Sequence, residues 1–350
     1  MDFLEEAPRP DGDHRDAAQP RGKPAAVEIE FDGVTKRYQG QDAPAVDNLS
    51  LKIPAGETCC LVGPSGGGKT TAMKLVNRLI ELSAGDIRIG GRSVKSLDIT
   101  ALRRNIGYVI QQVGLFPHMT VAANLAVVPK LLDWSRDRID RRVGELLDLV
   151  RLDRSYVKRY PAQLSGGQQQ RIGLARALAA DPPVMLMDEP FGALDPITRS
   201  EIQDEFLRLE GEIRKTVIFV THDIDEAIKM GDRIAVLRQD GTLAQYGTAD
   251  ELLRRPIDDF VADFVGADRG LKRLSLRTVH ELVDHDPNQQ VPPGAPTVPA
   301  RTTLRTGLSV LLAAGADVLI VTGEPGKRLG TVTLDRLREA AGTRPSDETL

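Results

Sequence analysis

Hydrophobic positions along this chain follow two periods, and the alternation between them predicts an α/β fold. Residues 27–31 alternate apolar and polar side chains, as in a half-buried strand, and residues 184–187 form the continuous apolar run of a buried strand. Elsewhere apolar residues recur at helical spacing, as at Val143, Leu146 and Val150. These patterns predict strands at residues 27–38, 49–53, 59–62, 86–89, 106–110, 184–188, 217–220, 233–237, 243–246, 317–321 and 329–332. They predict helices at residues 72–76, 121–125, 139–152, 169–180, 249–253, 304–314 and 334–341.

Changes in the pattern divide the chain into a large domain and a small terminal unit. Residues 1–26 mix charged residues, Pro and Ala without a period, which predicts a disordered leader. The α/β pattern covers residues 27–265 and includes a predicted helical subdomain at about 113–163. A linker is predicted at residues 266–300, because residues 286–300 are rich in Pro, Gln and Gly, and it is followed by a helix–strand–strand–helix unit at residues 301–345. Such a unit is too short to be a robust independent domain unless it pairs with something.

Composition then limits the classes of function. The chain has 350 residues and a net charge of −4, so it carries no overall basic field for nucleic acid. Its two cysteines, Cys59 and Cys60, are adjacent in an apolar strand, which favours buried thiols and a reducing cytoplasm over a disulfide or metal pair. Apolar runs fall short of the ~18 residues of a membrane helix, and the first residues lack the apolar segment of a secretory signal. We therefore expect a soluble protein that can still sit on a membrane partner.

One glycine-rich stretch, residues 63–71, predicts a phosphate site. It fits G-x-x-x-x-G-K-[ST] at every required position and lies between an apolar strand and a helix. Backbone N–H groups of such a loop, and the positive end of the following helix, attract phosphate oxygens. Lys69 would reach the β- and γ-phosphates of a nucleotide, and the Thr70 hydroxyl would bind Mg²⁺. The candidate ligands in this stretch are Gly63, Pro64, Ser65, Gly66, Gly67, Gly68, Lys69, Thr70 and Thr71.

Polar residues follow other predicted strands, at the sheet edge where ligands of open α/β sheets bind. Asp188 and Glu189 end an apolar strand that we expect in the middle of the sheet, beside the phosphate-loop strand. There Asp188 would lie near Mg²⁺, and Glu189 would orient or activate water. Gln111 is either a ligand of Mg²⁺ and water or a loop amide facing solvent, and His222 is a candidate γ-phosphate contact. Tyr38 is either a stacking surface for adenine or an ordinary strand aromatic.

A second glycine-rich segment, Leu-Ser-Gly-Gly-Gln at residues 164–168, opens the helix predicted at residues 169–180. A serine and two glycines at the start of a helix can form an anion-binding site. The alternative interpretation is that the serine only caps the helix. A cap needs Ser165 alone, so Gly166 and Gly167 indicate close backbone approach to another group.

In this order, the motifs resemble those of the nucleotide-binding subunits of ABC transporters, over the whole predicted α/β domain. Residues 63–71 match the Walker A loop, Gln111 the Q-loop glutamine, and residues 164–168 the LSGGQ signature. Asp188 and Glu189 match Walker B with its catalytic Glu. The resemblance implies an α/β fold with a RecA-like core, an antiparallel β subdomain and a helical subdomain, and it implies ATP and Mg²⁺ as cofactors.

The same resemblance assigns roles to individual residues. It implies catalytic roles for Glu189, His222, Gln111 and Lys69, and Mg²⁺ ligation by Thr70, Gln111 and Asp188. It also implies that the ring of Tyr38 stacks on the adenine. A second copy of the chain, arranged head to tail, would complete each nucleotide site with Ser165, Gly166, Gly167, Gln168 and the D-loop residue Asp195. The resemblance further implies that a membrane permease docks in the groove near the Q-loop, at the cytoplasmic face of the membrane.

A finer resemblance is to importers of quaternary amines such as glycine betaine, choline and carnitine. It lies in residues 110–121 and 129–134, and in the tail, where the unit at residues 304–341 is similar to half of a CBS-domain pair. This implies an energy-coupling ATPase whose solute is recognised by permease or binding-protein subunits. The alternatives are the ATPase of another importer, for amino acids or another small solute, a soluble ABC ATPase, and a regulatory module whose tail carries the function.

Overall fold

The computed structural model describes residues 25–111, 114–192, 194–285, 291–323 and 327–342. The leader predicted at residues 1–26 lies outside these ranges, except for its last two residues. The chain divides into two compact units, of which the first ends at Tyr246 and the second begins at Gly247. Within the described ranges, no helix combines the length and the apolar character that crossing a bilayer requires.

The first unit is an α/β structure with two sheets. Its strands are β1 (Ile29–Lys36), β2 (Val46–Ile53), β3 (Thr58–Val62), β4 (Ala84–Ile89), β5 (Arg92–Ser93), β6 (Ile106–Val109), β7 (Val184–Asp188), β8 (Thr216–Val220), β9 (Arg233–Leu237) and β10 (Leu243–Gly247). Its α-helices are α1 (Lys69–Val76), α2 (Ile99–Arg104), α3 (Val121–Leu125), α4 (Val127–Leu131), α5 (Arg136–Leu149), α6 (Gly166–Ala177), α7 (Pro196–Ile213) and α8 (Ile224–Met230). Short 3-10 helices cover Val94–Ser96, Arg154–Lys158 and Pro161–Gln163. The strands and helices predicted for this region are confirmed, with ends displaced by a few residues.

A six-stranded sheet carries the phosphate-loop strand β3 near its centre. Its order is β10-β9-β3-β8-β7-β6, and β9, β3, β8, β7 and β6 pair in parallel. Every residue of β3, β7 and β8 is buried, as expected for parallel strands covered on both faces. The expectation that β7 lies beside β3 is wrong, because the chain returns through α7 to β8, which pairs with both strands. The strands β3 and β7 nevertheless end at the same edge of the sheet.

A second, antiparallel sheet has the order β2-β1-β4-β5 and contributes to the same core. Ile29 of β1 pairs with Ile53 of β2 on one side and with Ile89 of β4 on the other. These three side chains are fully buried, together with Leu61 of β3 and Leu75 of α1. The sheet is therefore the antiparallel β subdomain that the resemblance implied.

The segment between β6 and β7 is largely helical, as predicted. Helix α5 buries the face formed by Ile139, Val143, Leu146 and Leu147, which is the face that the spacing indicated. Beside this face, the Arg142 guanidinium donates to the carbonyl oxygens of Ala179 and Leu178, at 3.1 and 2.8 Å. Because the last carbonyls of a helix lack partners within the helix, these bonds fasten α5 to the end of α6.

The second unit begins with helices and ends in a small mixed sheet. Its α-helices are α9 (Ala249–Arg254), α10 (Asp259–Val265), α11 (Arg269–Leu274), α12 (Leu304–Ala314) and α13 (Leu334–Gly342). Its strands are β11 (Thr297–Pro299), β12 (Val318–Thr322) and β13 (Arg328–Thr333), with a 3-10 helix at Val279–Leu282. In this sheet, β11 pairs with β12 in parallel and β12 pairs with β13 antiparallel.

The segment predicted as a linker, residues 266–300, is different in the structure. It contains α11, the 3-10 helix and β11. Its buried apolar side chains join the core of the helix–strand–strand–helix unit: Leu274, Val279, Val283 and Val298. The unit boundary also falls after Tyr246, so α9 and α10 lie in the second unit rather than in the domain predicted at residues 27–265. Pro is frequent in residues 286–300, but the apolar residues along the segment decide its structure.

Candidate functional site

The phosphate loop joins β3 to α1, and close backbone contacts require its glycines. A Cβ atom on Gly63 would lie 2.2 Å from the carbonyl oxygen of Leu237. One on Gly68 would lie 2.0 Å from the carbonyl oxygen of Ala45, and both glycines have positive φ, 144° and 80°. By contrast, a Cβ on the exposed Gly66 would meet no atom of the described residues within 4 Å. The loop is therefore closely packed on its inner side and open on its outer side.

Lys69, the first residue of α1, folds back onto this loop. Its Nζ atom donates to the carbonyl oxygens of Gly63 and Pro64, at 2.8 and 2.7 Å. The residue is 7% exposed, and burial lowers the pKa of the ammonium group. An ammonium group that is desolvated and bonded to neutral carbonyls would be stabilised by an anion placed over the loop.

Next to Lys69, Thr70 contacts the end of the parallel strand β7, which lies two strands from β3 in the sheet. The Thr70 Oγ1 atom donates to Asp188 Oδ1 at 2.8 Å, and burial raises the pKa of Asp188. A hydroxyl and a carboxylate are hard oxygen ligands, which suits a divalent cation such as Mg²⁺. Among the described residues, no group of three or more His, Cys, Asp and Glu side chains could hold a metal ion. Thr70 and Asp188 would supply two oxygen ligands, so further ligands of a cation would come from other groups, such as an amide oxygen of the chain or a bound ligand.

Three predicted residues converge where β6, β7 and β8 end. The Glu189 carboxylate accepts a hydrogen bond from Gln111 Nε2 at 3.0 Å, and its other oxygen lies 3.5 Å from His222 Nδ1. Glu189 has a φ of 43°, in the left-handed region that is rare for a residue with a side chain. Its N–H donates to the carbonyl oxygen of Val220 at 2.9 Å. Strained backbone beneath converging polar groups is typical of a functional site.

Residues 165–168 form the start of α6 and bond to their own helix. The Ser165 hydroxyl accepts from the N–H of Gln168 at 3.3 Å, and the Gln168 side chain accepts from the N–H of Ser165 at 3.0 Å. This is a capping box. A Cβ on Gly167 would lie 2.9 Å from Thr198 Cγ2 of α7, whereas one on Gly166 would meet no described atom within 4 Å. Gly167 thus makes the predicted close approach within the chain, and Gly166 stays open.

The chain is similar to known proteins. The model of the ABC transporter family matches residues 46–192. The osmoprotectant import ATP-binding protein OsmV of Salmonella typhimurium is 49% identical, over 90% of this chain and 81% of the relative. The chain belongs to the ABC transporter family.

Two further comparisons support the family assignment and the fold. The glycine betaine/carnitine/choline transport ATP-binding protein OpuCA of Bacillus subtilis is 46% identical, over 88% of this chain and 79% of the relative. Among solved structures, a dimeric ATP-binding cassette in a post-hydrolysis state, bound to ADP and Pi, is 35% identical with a TM-score of 0.57. That match covers 63% of this chain and 98% of the cassette. The predicted ABC ATPase fold is confirmed.

Within this ABC transporter fold, three further candidates, Tyr38, Ser65 and Asp195, lie at or near the surface, whereas Gly67 is buried. Tyr38 is 37% exposed and lies on the connection between β1 and β2. Asp195 caps α7 by accepting from the N–H groups of Ile197 and Thr198, at 3.1 Å each. The hydrogen bonds from Thr198 hold the pKa of Asp195 below its usual range. Ser65 is exposed at the tip of the phosphate loop.

One residue of this ABC transporter site was not predicted from the sequence. Gln170 of α6 is 5% exposed, and its Nε2 atom donates to the carbonyl oxygen of Pro190, immediately after Glu189. A signal was available, because Gln170 precedes the buried Leu174 by four residues and Ala177 by seven. An amide in an apolar helical stripe needs a polar partner inside the protein.

Proposed function

We propose that this chain is the ATP-hydrolysing, energy-coupling subunit of an importer for quaternary amines and related osmoprotectants. The observation that carries the ATPase assignment is the Glu189 carboxylate, which lies between Gln111 and His222 at the sheet edge where the phosphate loop begins. The names of the relatives, which give osmoprotectant import and glycine betaine, carnitine and choline transport, support the transport assignment.

The phosphate loop would bind the triphosphate of ATP. Lys69 would exchange its carbonyl contacts for β- and γ-phosphate oxygens, which gives its ammonium group an anionic partner. The open side of the loop at Gly66 leaves room for the ligand, and the free N–H groups at the start of α1 would donate to it. Tyr38 would offer its ring to the adenine.

Thr70, Asp188 and Gln111 would hold Mg²⁺. All three supply oxygen atoms, and the direct contact between Thr70 and Asp188 already brings two of them together. The bound ion would neutralise charge on the β- and γ-phosphates. Burial raises the pKa of Asp188, and a neighbouring cation would favour its ionised form instead.

Glu189 would act on the attacking water. An ionised carboxylate only accepts hydrogen bonds, so the donor Gln111 can fix one Glu189 oxygen while the other takes the proton of the water. His222 would contact the γ-phosphate from the opposite side of the carboxylate. A positioned base of this kind contributes roughly 10²–10⁴-fold to the rate.

A second copy of the chain would complete each site, in a head-to-tail dimer. The start of α6 presents N–H groups to an anion, and Gly166 leaves its surface open for close approach. The residues that would serve the partner's nucleotide are Ser165, Gly166, Gly167, Gln168 and Asp195. The solved cassette with ADP and Pi is itself dimeric, which supports this arrangement.

The amine would be recognised by other subunits. Binding of a quaternary ammonium group commonly uses exposed aromatic faces. The chain has one tryptophan, Trp134, and the Arg138 guanidinium lies 3.5 Å from the centre of its ring. The amine would therefore be bound by a substrate-binding protein or by the permease. We propose that this chain is a peripheral subunit that binds membrane permease subunits at the cytoplasmic face, and that the substrate-binding protein acts on it only through the permease.

Residues 301–345, at the end of the second unit, would be a CBS-like half module. Its succession of α12, β12, β13 and α13 is the helix–strand–strand–helix order of such a half. It would either sense a ligand or ionic strength, or pair with another copy. Salt-dependent transport by a chain that lacks residues 270–350, compared with the full chain, tests the sensing role.

Replacing Glu189 by Gln tests the ATPase assignment. Glu189→Gln should lower ATP turnover by roughly 10²–10⁴-fold, because the amide keeps the size of the side chain but cannot take a proton. ATP binding should persist and trap the dimer, which light scattering would detect. Glu201→Gln, at an exposed position of α7, is the matched control and should change neither property. Unchanged turnover in Glu189→Gln would contradict the assignment.

A reconstituted complex with its permease tests the solute class. Choline or glycine betaine should stimulate ATP hydrolysis in the presence of the binding protein. Stimulation by amino acids instead would favour another small-solute importer, and stimulation by DNA or ribosomes without a permease would favour a soluble ABC ATPase.

A further inference from the structure

The backbone at Glu189 needs restraint from its surroundings. Its φ of 43° is unfavourable for a residue with a side chain, and the proline that follows disfavours helical backbone at the preceding residue. Two backbone hydrogen bonds hold it: its N–H donates to Val220 of β8 at 2.9 Å, and its carbonyl accepts from Gly192 of the following turn at 3.2 Å. A third restraint comes from α6.

That third restraint is the side chain of Gln170. Its amide donates to the carbonyl oxygen of Pro190, so it holds the peptide between Pro190 and Phe191, directly after the residue that follows Glu189. Gln170 also lines a cavity of about 10 Å³ whose other walls include Phe191 and Phe206. A cavity of this size and lining gives a water molecule too few polar partners to replace the amide. Loss of the Gln170 donor would therefore leave the Pro190 carbonyl without this bond.

Helix α6 also carries the segment proposed to meet the partner's nucleotide. Gln170 follows Ser165 by five residues, which is roughly 7 Å along the helix axis. Because a helix moves as a rigid rod over this distance, displacement of its start by a nucleotide would shift Gln170 as well. The carbonyl that Gln170 holds adjoins Glu189, which serves the chain's own nucleotide.

We propose that Gln170 is a positioning residue that couples the two nucleotide sites. Contact of Ser165 with the partner's nucleotide would set α6, and Gln170 would set the backbone of Glu189 in the same chain. The inference rests on the proposed head-to-tail ATPase, and it adds a route from one site to the other through a buried amide.

The variant Gln170→Met keeps the length of the side chain and removes the donor. It should lower kcat by roughly 5- to 100-fold, because a buried acceptor loses its bond. The KM for ATP should stay within about twofold, since the phosphate loop is untouched. Leu174→Met is the matched control, because Leu174 lines the same cavity on the same helix, and it should leave kcat unchanged.

Two further measurements separate coupling from a merely structural role. In a double-mutant cycle, Ser165→Ala should lower kcat less in the Gln170→Met background than in the wild type, because the route is already broken. In Gln170→Glu, a protonated carboxyl group can donate to Pro190 and an ionised one cannot. Its activity relative to the wild type should therefore rise as the pH falls.

Hydrogen exchange gives a readout that does not depend on turnover. Exchange of the Glu189 and Gly192 amides should be faster in Gln170→Met and unchanged in Leu174→Met, with β2 as the reference for global stability. Unchanged exchange, or additive effects of Ser165→Ala and Gln170→Met, would overturn the inference and leave the ATPase assignment intact. Absence of ATP hydrolysis in the wild-type complex would instead overturn that assignment, and with it the coupling.

Discussion

The chain begins two helices, α1 and α6, with glycine-rich segments, and the structure uses the two segments differently. At α1 the loop closes on its own chain: Lys69 is buried and donates to two loop carbonyls, and a Cβ on Gly63 or Gly68 would collide with neighbouring backbone. At α6 the Ser165 and Gln168 side chains close a capping box, and Gly166 is exposed. The first segment holds a charged group in place, and the second offers a capped helix end with a free surface.

The difference shows that a glycine-rich helix start has no fixed role. A buried ammonium group attracts an anion strongly, because little water screens it. The neutral N–H groups at the start of α6 attract an anion more weakly, through partial charges alone. On the proposed function, α1 would supply most of the affinity for ATP, and α6 would complete the site once a second copy docks.

Removal of the Lys69 charge should give the largest effect. Lys69→Ala is expected to lower ATP turnover by on the order of 10²–10³, because a preorganised charge at the phosphates is lost. Lys130→Ala, at an exposed position of α4, is the control. Turnover and equilibrium ATP binding would be measured side by side, and Ser165→Ala should leave binding to a single copy unchanged. Equal loss of binding in Lys69→Ala and Ser165→Ala would break the contrast between the two helix starts.

Strand β3, which leads into the phosphate loop, contacts α7 through a partly buried carboxyl group, and the ionisation of this group makes the free energy of unfolding depend on pH. Thr58, the first residue of β3, donates its hydroxyl to Glu210 of α7 and its N–H to Asp232. Burial raises the pKa of Glu210 from 4.5 to about 7. Between these pH values the folded chain keeps a proton that the unfolded chain has lost, so stability falls as the pH rises.

Glu210→Gln should remove this pH dependence. It is expected to raise the free energy of unfolding above pH 7 by up to about 3 kcal/mol, with little change below pH 4.5. The amide oxygen can still accept from Thr58, so the contact itself is kept. Urea unfolding at pH 5 and pH 8 measures the effect, and Glu201→Gln should keep the wild-type slope. An identical slope in both variants would mean that Glu210 is ionised in the folded chain at neutral pH.

Much of the fold and of the site could be predicted, because the relevant signals are local. The pattern of residues 63–71 places a strand, a loop and a helix in succession, and the structure has all three. Asp188 and Glu189 follow an apolar run, which puts them at a strand end without any knowledge of the partner strands. Parallel strands end at a common edge, so the approach of Glu189 to Gln111 and His222 also followed from position alone.

Two of the features that were missed depend on contacts between distant segments. Nothing local distinguishes a strand order in which β8 lies between β3 and β7, and nothing local links Gln170 to Pro190. Helix α7 was also missing from the predicted helices, although the sequence contains local signals for it. Asp195 and Pro196 form a typical helix start, and the apolar residues that follow at helical spacing are Ile202, Phe206 and Leu209.

The smallest expected effect separates the two glycines of the α6 start. Gly167→Ala should lower the free energy of unfolding by about 1–3 kcal/mol, because its Cβ would meet Thr198 Cγ2 at 2.9 Å. Thr198→Ser removes that methyl group, so the double variant should recover most of the loss. Gly166→Ala has free space for its Cβ and should unfold like the wild type. If Gly166→Ala nevertheless lowers ATP turnover, the open surface at Gly166 is the part of α6 that contacts the nucleotide of a second copy. Wild-type turnover in Gly166→Ala would mean that Ser165 and Gln168 make this contact.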